Sequence, residues 1–400
     1  MKNLLKYILF IVSAVVIFFI LANFILYYAW GRRNDELRIY QWDPYLIYSL
    51  KPDLDEDLSL AKSLRLEPLW KKVGGIWHLK TNSLGIRAKG EIPAKSKNHF
   101  RILALGDSIT FGLAINDEET YPVQLEEILQ RIFPAPVKVE VINAGVTGYS
   151  SRQGLVYLRE KLLFLKPDLV IIGFGVDDSA IKYLFSDQEI MKGDIHKGFK
   201  KIYYSPTGLV TLLVLRQPLF IFLRKLIANL RMAHFTKKLG EKNLPLKEQD
   251  SEAVKIKKSK YLRARVPPGE YFENLKQFVI LAQKEGFKIM IYLPYGLPTI
   301  YKKLALKIAS TYKIPVVDFS RSLIDYSLEE LEQNPVYGQK LKKYLKVLGR
   351  DFLKSHPQYL TTVDSGHPNA VGNRIIAEEM AKTIIYYRLY PKRVLNFARD

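Results

Sequence analysis

The sequence contains no cysteine. That excludes disulfide frameworks, thiolate nucleophiles and cysteine-ligated zinc, and it leaves the compartment open. Histidine is scarce as well. The six histidines, at 78, 99, 196, 234, 356 and 367, show none of the paired spacings that build a metal site, so no metal and no cofactor are expected. There is no phosphate-cradling glycine loop and no internal repeat. Acidic residues are in deficit: 40 Asp and Glu against 61 Lys and Arg give a formal charge of +21. Such a field attracts polyanions. No nucleic-acid motif accompanies it, so the charge reads toward anionic headgroups or acidic wall polymers, and nucleic acid is not expected as a partner.

What the sequence does have is one long apolar run. Tyr7 to Trp30 includes only Ser13 and Asn23 as clearly polar residues. At 1.5 Å per residue this makes a helix of roughly 36 Å, enough for a bilayer with some tilt. Lys2 and Lys6 precede it, Arg32 and Arg33 follow it, and Tyr27, Tyr28 and Trp30 form an aromatic belt at its far end. A cleaved signal peptide has a shorter apolar region ending in small residues. Residues 1–32 therefore read as a retained single-pass anchor, embedded through 7–30. Similar positive charge on both flanks leaves its orientation unset.

Residues 33–99 read as a juxtamembrane extension. Gln41–Pro52 is aromatic and extended, punctuated by Pro44 and Pro52. The stretch TNSLGIR, Thr81–Arg87, reads as a turn around Gly85. From residue 100 to 400 short apolar strands alternate with amphipathic helices. Strands are expected at Arg101–Leu105, Val137–Ile142, Asp168–Phe174, Phe287–Leu293 and Ile314–Phe319. Helices are expected from Ile115 to Phe133, Arg152 to Leu165, Glu270 to Glu285, Lys302 to Tyr312 and Asn369 to Tyr387. Apolar strands alternating with helices indicate a parallel sheet covered on both faces. The third and fourth strands lie more than 110 residues apart, far beyond a plain crossover, so about 181–262 reads as a helical insertion. Helices start at Ser205-Pro206 and at Pro218. This element reads as a packed subdomain, a lid or a surface helix against the membrane. Lys-rich Thr236–Lys260 reads as a solvated linker.

The chemistry-bearing residues gather at strand ends. The first strand runs into Gly106-Asp107-Ser108, where a serine at the mouth of a helix faces the cleft beyond the sheet. By itself that serine is equally a helix cap. A serine hydroxyl needs a base, and Asp364-Ser365-Gly366-His367 offers one: an aspartate three residues before histidine accepts from one ring nitrogen and leaves the other free. Acyl transfer also needs donors for an oxyanion. Asn143–Tyr149 follows the second strand, and Gly148 there presents a backbone N–H without side-chain obstruction. The third strand delivers Gly175-Val176-Asp177-Asp178 to the same edge.

With these four blocks the chain resembles the SGNH, or GDSL, hydrolases over roughly 100–180 and 270–388, in the form of a membrane-anchored bacterial member. The resemblance implies an α/β fold: a flavodoxin-like three-layer α/β/α with a mostly parallel five-stranded sheet. It implies Ser108 as nucleophile, His367 as base and Asp364 as its orienting carboxylate. The oxyanion donors it implies are the Ser108 N–H, the Gly148 N–H and an asparagine amide in the third block. Here that asparagine is replaced by Asp177, and an ionised carboxylate only accepts. The resemblance also implies a domain outside the cytoplasm at the cell membrane, and ester chemistry on an acylated carbohydrate or lipid, O-acetyl groups of an envelope glycan among them. An acyltransferase with the same residues, and a non-catalytic glycan-binding scaffold, are the competing functions.

Overall fold

The computed structural model describes residues 2–29, 38–43, 45–59, 75–133, 135–183, 187, 191, 262–320, 323, 325–364 and 366–396. The chain divides into two compact units, residues 1–44 with 191–260 and residues 45–190 with 261–400.

In the first unit Lys2–Ala29 forms one helix, α1. Its large apolar side chains between Phe10 and Ile25 are mostly exposed, Phe18 at 71%. Asn23 donates its amide to the Phe19 carbonyl at 2.8 Å, which satisfies this polar group within the helix. Among the described residues no helix is long and apolar enough to cross a membrane. Trp30, Arg32 and Arg33 lie outside the described residues.

In the second unit, after a short strand at Ile47–Leu50, comes an antiparallel pair, β1 (Asp55–Ser59) and β2 (Ile76–Lys80). TNSLGIR follows as a turn: Gly85, at φ 68°, donates its N–H to the Asn82 carbonyl at 2.9 Å. The sheet proper contains β3 (His99–Gly106), β4 (Lys138–Gly145) and β5 (Leu169–Gly173). A two-stranded antiparallel pair, β6 (Ile181–Tyr183) with β7 (Leu262–Ala264), then intervenes. The sheet is completed by β8 (Lys288–Leu293) and β9 (Val316–Asp318). Its strand order is β9-β8-β5-β3-β4, all parallel. Counting sheet strands alone, that is the 2-1-3-4-5 order of flavodoxin-like folds, with its switch point between β3 and β5. Every residue of β3 and β5 is buried, which is why both read as continuous apolar runs.

Helices flank the sheet to make three layers. One group holds α3 (Tyr121–Ile132) and α10 (Ala370–Tyr386), which pack on each other. The other holds α4 (Ser151–Tyr157), α5 (Pro268–Glu285) and α6 (Thr299–Tyr312). Between β3 and α3 lies α2, the single turn Ser108–Phe111. Between β9 and α10 come α7 (Leu328–Gln333), α8 (Pro335–Leu348) and α9 (Arg350–Ser355).

Two expected helices are shorter than their apolar periodicity. The segment Ile115–Phe133 holds a 3-10 turn at Asp117–Glu119 before α3. Thr120 is extended between the two as the N-cap of α3, and Pro122 lies in the first turn of that helix. The segment from Arg152 leaves the α-helix at Tyr157 and continues as a π turn and a 3-10 turn to Leu165. Leu155, Leu158, Leu162 and Leu165 stay buried throughout, so the pattern reads unbroken. The two ends of the predicted insertion are paired, Tyr183 opposite Leu262. The expected helices at Ser205-Pro206 and Pro218 and the Lys-rich Thr236–Lys260 lie outside the described residues.

Candidate active site

The C-terminal ends of β3, β4 and β5 are level. Gly106 registers with Gly145 on one side and Gly173 on the other. A side chain at Gly145 would drive into the backbone of Thr110 and Phe111, and one at Gly106 into Thr110. This glycine row lets α2 sit directly on the strand ends, with Ser108 at its first position. Asp107 caps the turn, its Oδ1 accepting from the Ile109 N–H at 3.0 Å. Gly112, at φ 81°, closes it in the left-handed region that glycine adopts freely. Ser108 is 9% exposed.

The loop ahead of α10 comes to the same edge. Asn369 caps α10 through the N–H groups of Val371 and Gly372, and its amide donates to the Tyr359 and Leu360 carbonyls. Val363 donates its N–H to the His367 carbonyl at 2.8 Å. Asn373 ties the loop to α3 by accepting from the Tyr121 N–H and donating to the Pro368 carbonyl. In this frame His367 Nε2 lies 2.8 Å from Ser108 Oγ, and His367 Nδ1 lies 2.8 Å from Asp364 Oδ2. Asp364 is 6% exposed and His367 26%. The other oxygen of Asp364 accepts the backbone N–H groups of His367 and Gly366 at 2.8 and 3.1 Å. Burial pushes this carboxyl's pKa up, but its bonds to the His367 ring and to the two N–H groups outweigh burial and leave it below the usual aspartate range. The Asp364 carboxylate thus stays charged and holds the ring with its far nitrogen toward the serine.

Gly148 sits at φ 76° in the turn after β4. Its carbonyl accepts from the Arg265 guanidinium, which also binds Gln153 and, at 2.5 Å, Asp187. After β5, Gly175 at φ 130° leads into a single turn, Val176–Ser179. Asp177 on that turn is half-buried, within electrostatic range of buried Asp107 and of Arg265. Burial first, and then the charge of Asp177, hold the Asp107 carboxyl well above the usual range. Asp178 is fully buried and accepts both the N–H and the hydroxyl of Ser151. Burial pushes its pKa up to about 7 against those bonds.

Some contributors carry no motif. Arg87, at the end of TNSLGIR, reaches under the loop behind Ser108. It donates to the Phe111, Gly112 and Ile115 carbonyls at 2.6, 2.7 and 2.7 Å. Arg265 and Tyr48 surround the Gly148 turn, with Tyr48 Oη donating to the Thr147 carbonyl at 2.8 Å. In a sequence these are two arginines in a lysine- and arginine-rich chain and one of 25 tyrosines, and only the folded contacts single them out. Among the described residues no cluster of His, Asp and Glu could hold a metal ion.

The profile of the GDSL-like lipase/acylhydrolase family matches residues 104–238. Solved structures with a likeness include the lipase/acylhydrolase from Enterococcus faecalis, at 16% identity over 72% of this chain and 96% of that one, TM-score 0.36. Axe2, an acetylxylan esterase from Geobacillus stearothermophilus, is 16% identical over 71% of this chain and 93% of its own, TM-score 0.36. LAE5, an alpha/beta hydrolase enzyme from the metagenome of Lake Arreo, Spain, is 15% identical over 73% and 96%, TM-score 0.37. No curated protein matches this chain.

Proposed function

We propose that this chain is a serine hydrolase that cleaves esters through Ser108, His367 and Asp364. The observation that carries the reading is the unbroken hydrogen-bonded line from Ser108 Oγ through both ring nitrogens of His367 to Asp364, 2.8 Å at each step. The match of residues 104–238 to the GDSL-like family supports it.

In this reading His367 Nε2 takes the hydroxyl proton as Ser108 Oγ attacks the ester carbonyl. The imidazolium that forms is stabilised by Asp364, which stays ionised throughout. Negative charge on the carbonyl oxygen is met by the N–H groups of Ser108 and Gly148. Collapse expels the alcohol, which receives the proton back from His367, and a water attacks the acyl-serine by the same route. Asp177 occupies the position of the third donor.

The substrate we propose is an acylated carbohydrate or lipid of the cell envelope. The protein is held there by an anchor through residues 7–30, with the catalytic unit outside the cytoplasm. The exposed apolar side chains of helix α1 support the anchor, and the +21 charge supports an anionic surface beside it.

The test is fluorophosphonate labelling of the full-length protein in detergent. The wild type labels, and Ser108→Ala and His367→Ala do not. A folded wild type that takes up no label would end the serine-hydrolase reading.

A further inference from the structure

The peptide that carries the Gly148 N–H is gripped from behind. Its carbonyl belongs to Thr147 and accepts from Tyr48 Oη at 2.8 Å. In a planar trans peptide the C=O and the N–H point in opposite directions. A donor fixed on the Thr147 carbonyl therefore fixes the direction of the Gly148 N–H. The glycine itself imposes no such direction. At φ 76° it occupies a region that glycine shares freely with its mirror image, so the plane's tilt is left to its partners.

Tyr48 is itself immobilised. Tyr149 Oη donates to the Tyr48 carbonyl at 2.6 Å, and the two rings meet edge-on at 5.3 Å. Gln153 donates to the Leu46 carbonyl at 2.6 Å. Between them Ile47 is held at φ 73°, a conformation that β-branched residues avoid and that persists only where the surroundings over-determine it. The backbone is thus strained next to the residue whose hydroxyl meets the Thr147 carbonyl.

We propose that Tyr48 is a positioning residue for the Gly148 oxyanion donor, so that the segment 45–50 completes the active site. The inference rests on the serine-hydrolase reading above. The segment lies outside the residues matched to the GDSL-like family. Tyr48 touches no reacting atom. It acts through the Thr147–Gly148 peptide, and its loss lowers turnover without weakening ground-state binding.

The experiment compares full-length wild type, Tyr48→Phe and Tyr149→Phe in detergent, with p-nitrophenyl acetate as substrate and rates expressed per site titrated by fluorophosphonate. Tyr48→Phe keeps the ring and removes the hydroxyl. Complete loss of one oxyanion donor costs 10²–10³ in kcat, and a donor left in place but unaimed is expected to cost about 10- to 100-fold, with KM unchanged within about twofold. Tyr149→Phe removes one of the bonds that immobilise Tyr48 but leaves the Tyr48 hydroxyl on the Thr147 carbonyl, so its kcat falls less than that of Tyr48→Phe. Unchanged kcat in Tyr48→Phe overturns the inference, as does an equal loss in Tyr149→Phe, which would mark general slackening. A wild type that neither labels nor turns over removes the hydrolase reading and this inference together. An active wild type with an unaffected Tyr48→Phe removes the inference alone.

Discussion

Arg87 and Asp117 form a buried ion pair, Nε to Oδ1 2.6 Å, with side chains 1% and 8% exposed. The same guanidinium lies against the Trp77 and Phe111 rings, 5.3 and 4.9 Å from their centres. With its four carbonyl acceptors, Phe111, Gly112, Ile115 and His78 of β2, this arginine ties the loop after Ser108 to the β1–β2 pair. Removing one partner of such a pair leaves an uncompensated buried charge. Arg87→Ala is therefore expected to destabilise the protein by about 3–5 kcal/mol. Arg87→Lys keeps the charge but loses the planar fork, and should fall in between. Urea unfolding of the three proteins measures this. A cost below about 1 kcal/mol for the alanine variant would show that the loop does not depend on the pair.

The glycine row makes a prediction that separates packing from flexibility. A Cβ at Gly145 meets the backbone of Thr110 and Phe111, which cannot rotate away as a side chain would. Gly145→Ala should cost about 1–3 kcal/mol through overpacking and should lower Ser108 labelling, because α2 has to lift from the sheet. Gly90 has open space around it and an ordinary φ. Gly90→Ala should be neutral or stabilising by a few tenths to about 1 kcal/mol. Thermal melts and labelling rates of both variants test the contrast, and two equal melts would discredit it.

The legible and illegible parts of this molecule divide along physical lines. The strands β3, β5 and β8 are legible because they are buried on both faces and so read as apolar runs. Gly286 announces the end of α5 and occupies φ 79° as a helix stop does. Ser108, Asp364 and His367 are legible because short local motifs carry them. The helices α7 to α9 give a weak pattern in the sequence, although Ser327 and Glu330 form a reciprocal cap at the start of α7. Leu328, Leu331, Leu341, Tyr344 and Leu353 are buried there, but the helices are short and rich in Lys and Glu, so that apolar stripe is thin. Tyr48, Arg87 and Arg265 act through backbone carbonyls distant in sequence. No spacing rule encodes a hydrogen bond across 99 or 117 residues. Gly106, Gly145 and Gly173 become a set only once the register of three strands is known.

Asp178 gives the fold a pH dependence of defined sign. Its pKa is pushed up to about 7 by burial, against the bonds from Ser151. In the unfolded chain an aspartate releases its proton near pH 4. Between those values the folded state holds a proton that the unfolded state lacks, so this residue's contribution to stability falls as pH rises through the window. Asp364 has the opposite sign. Its lowered pKa stabilises the fold above the ordinary aspartate range, and that contribution is lost only at lower pH. Asp178→Asn is expected to flatten the decline in melting temperature between about pH 4 and 7 relative to wild type. Parallel curves for the two proteins would mean that Asp178 does not titrate there.

In the proposed mechanism Asp177 sets how strong a catalyst the site is. It stands where the resemblance calls for an asparagine amide, and a carboxylate only accepts hydrogen bonds. Ionised, it opposes charge on an oxyanion; protonated, it donates to one. Buried Asp107 and the Arg265 guanidinium both lie within electrostatic range of it. The neutral fraction of Asp177 grows as pH falls, so Asp177→Asn should raise kcat most on the alkaline side and least in acid. The gain is bounded by the 10²–10³ that one oxyanion donor supplies. The measurement is the ratio of variant to wild-type kcat on p-nitrophenyl acetate across the pH range where both stay folded. A ratio that declines toward acid identifies Asp177 as a conditional donor. A ratio of one at every pH would place the residue outside the oxyanion's reach, leaving Ser108 and Gly148 as its two donors.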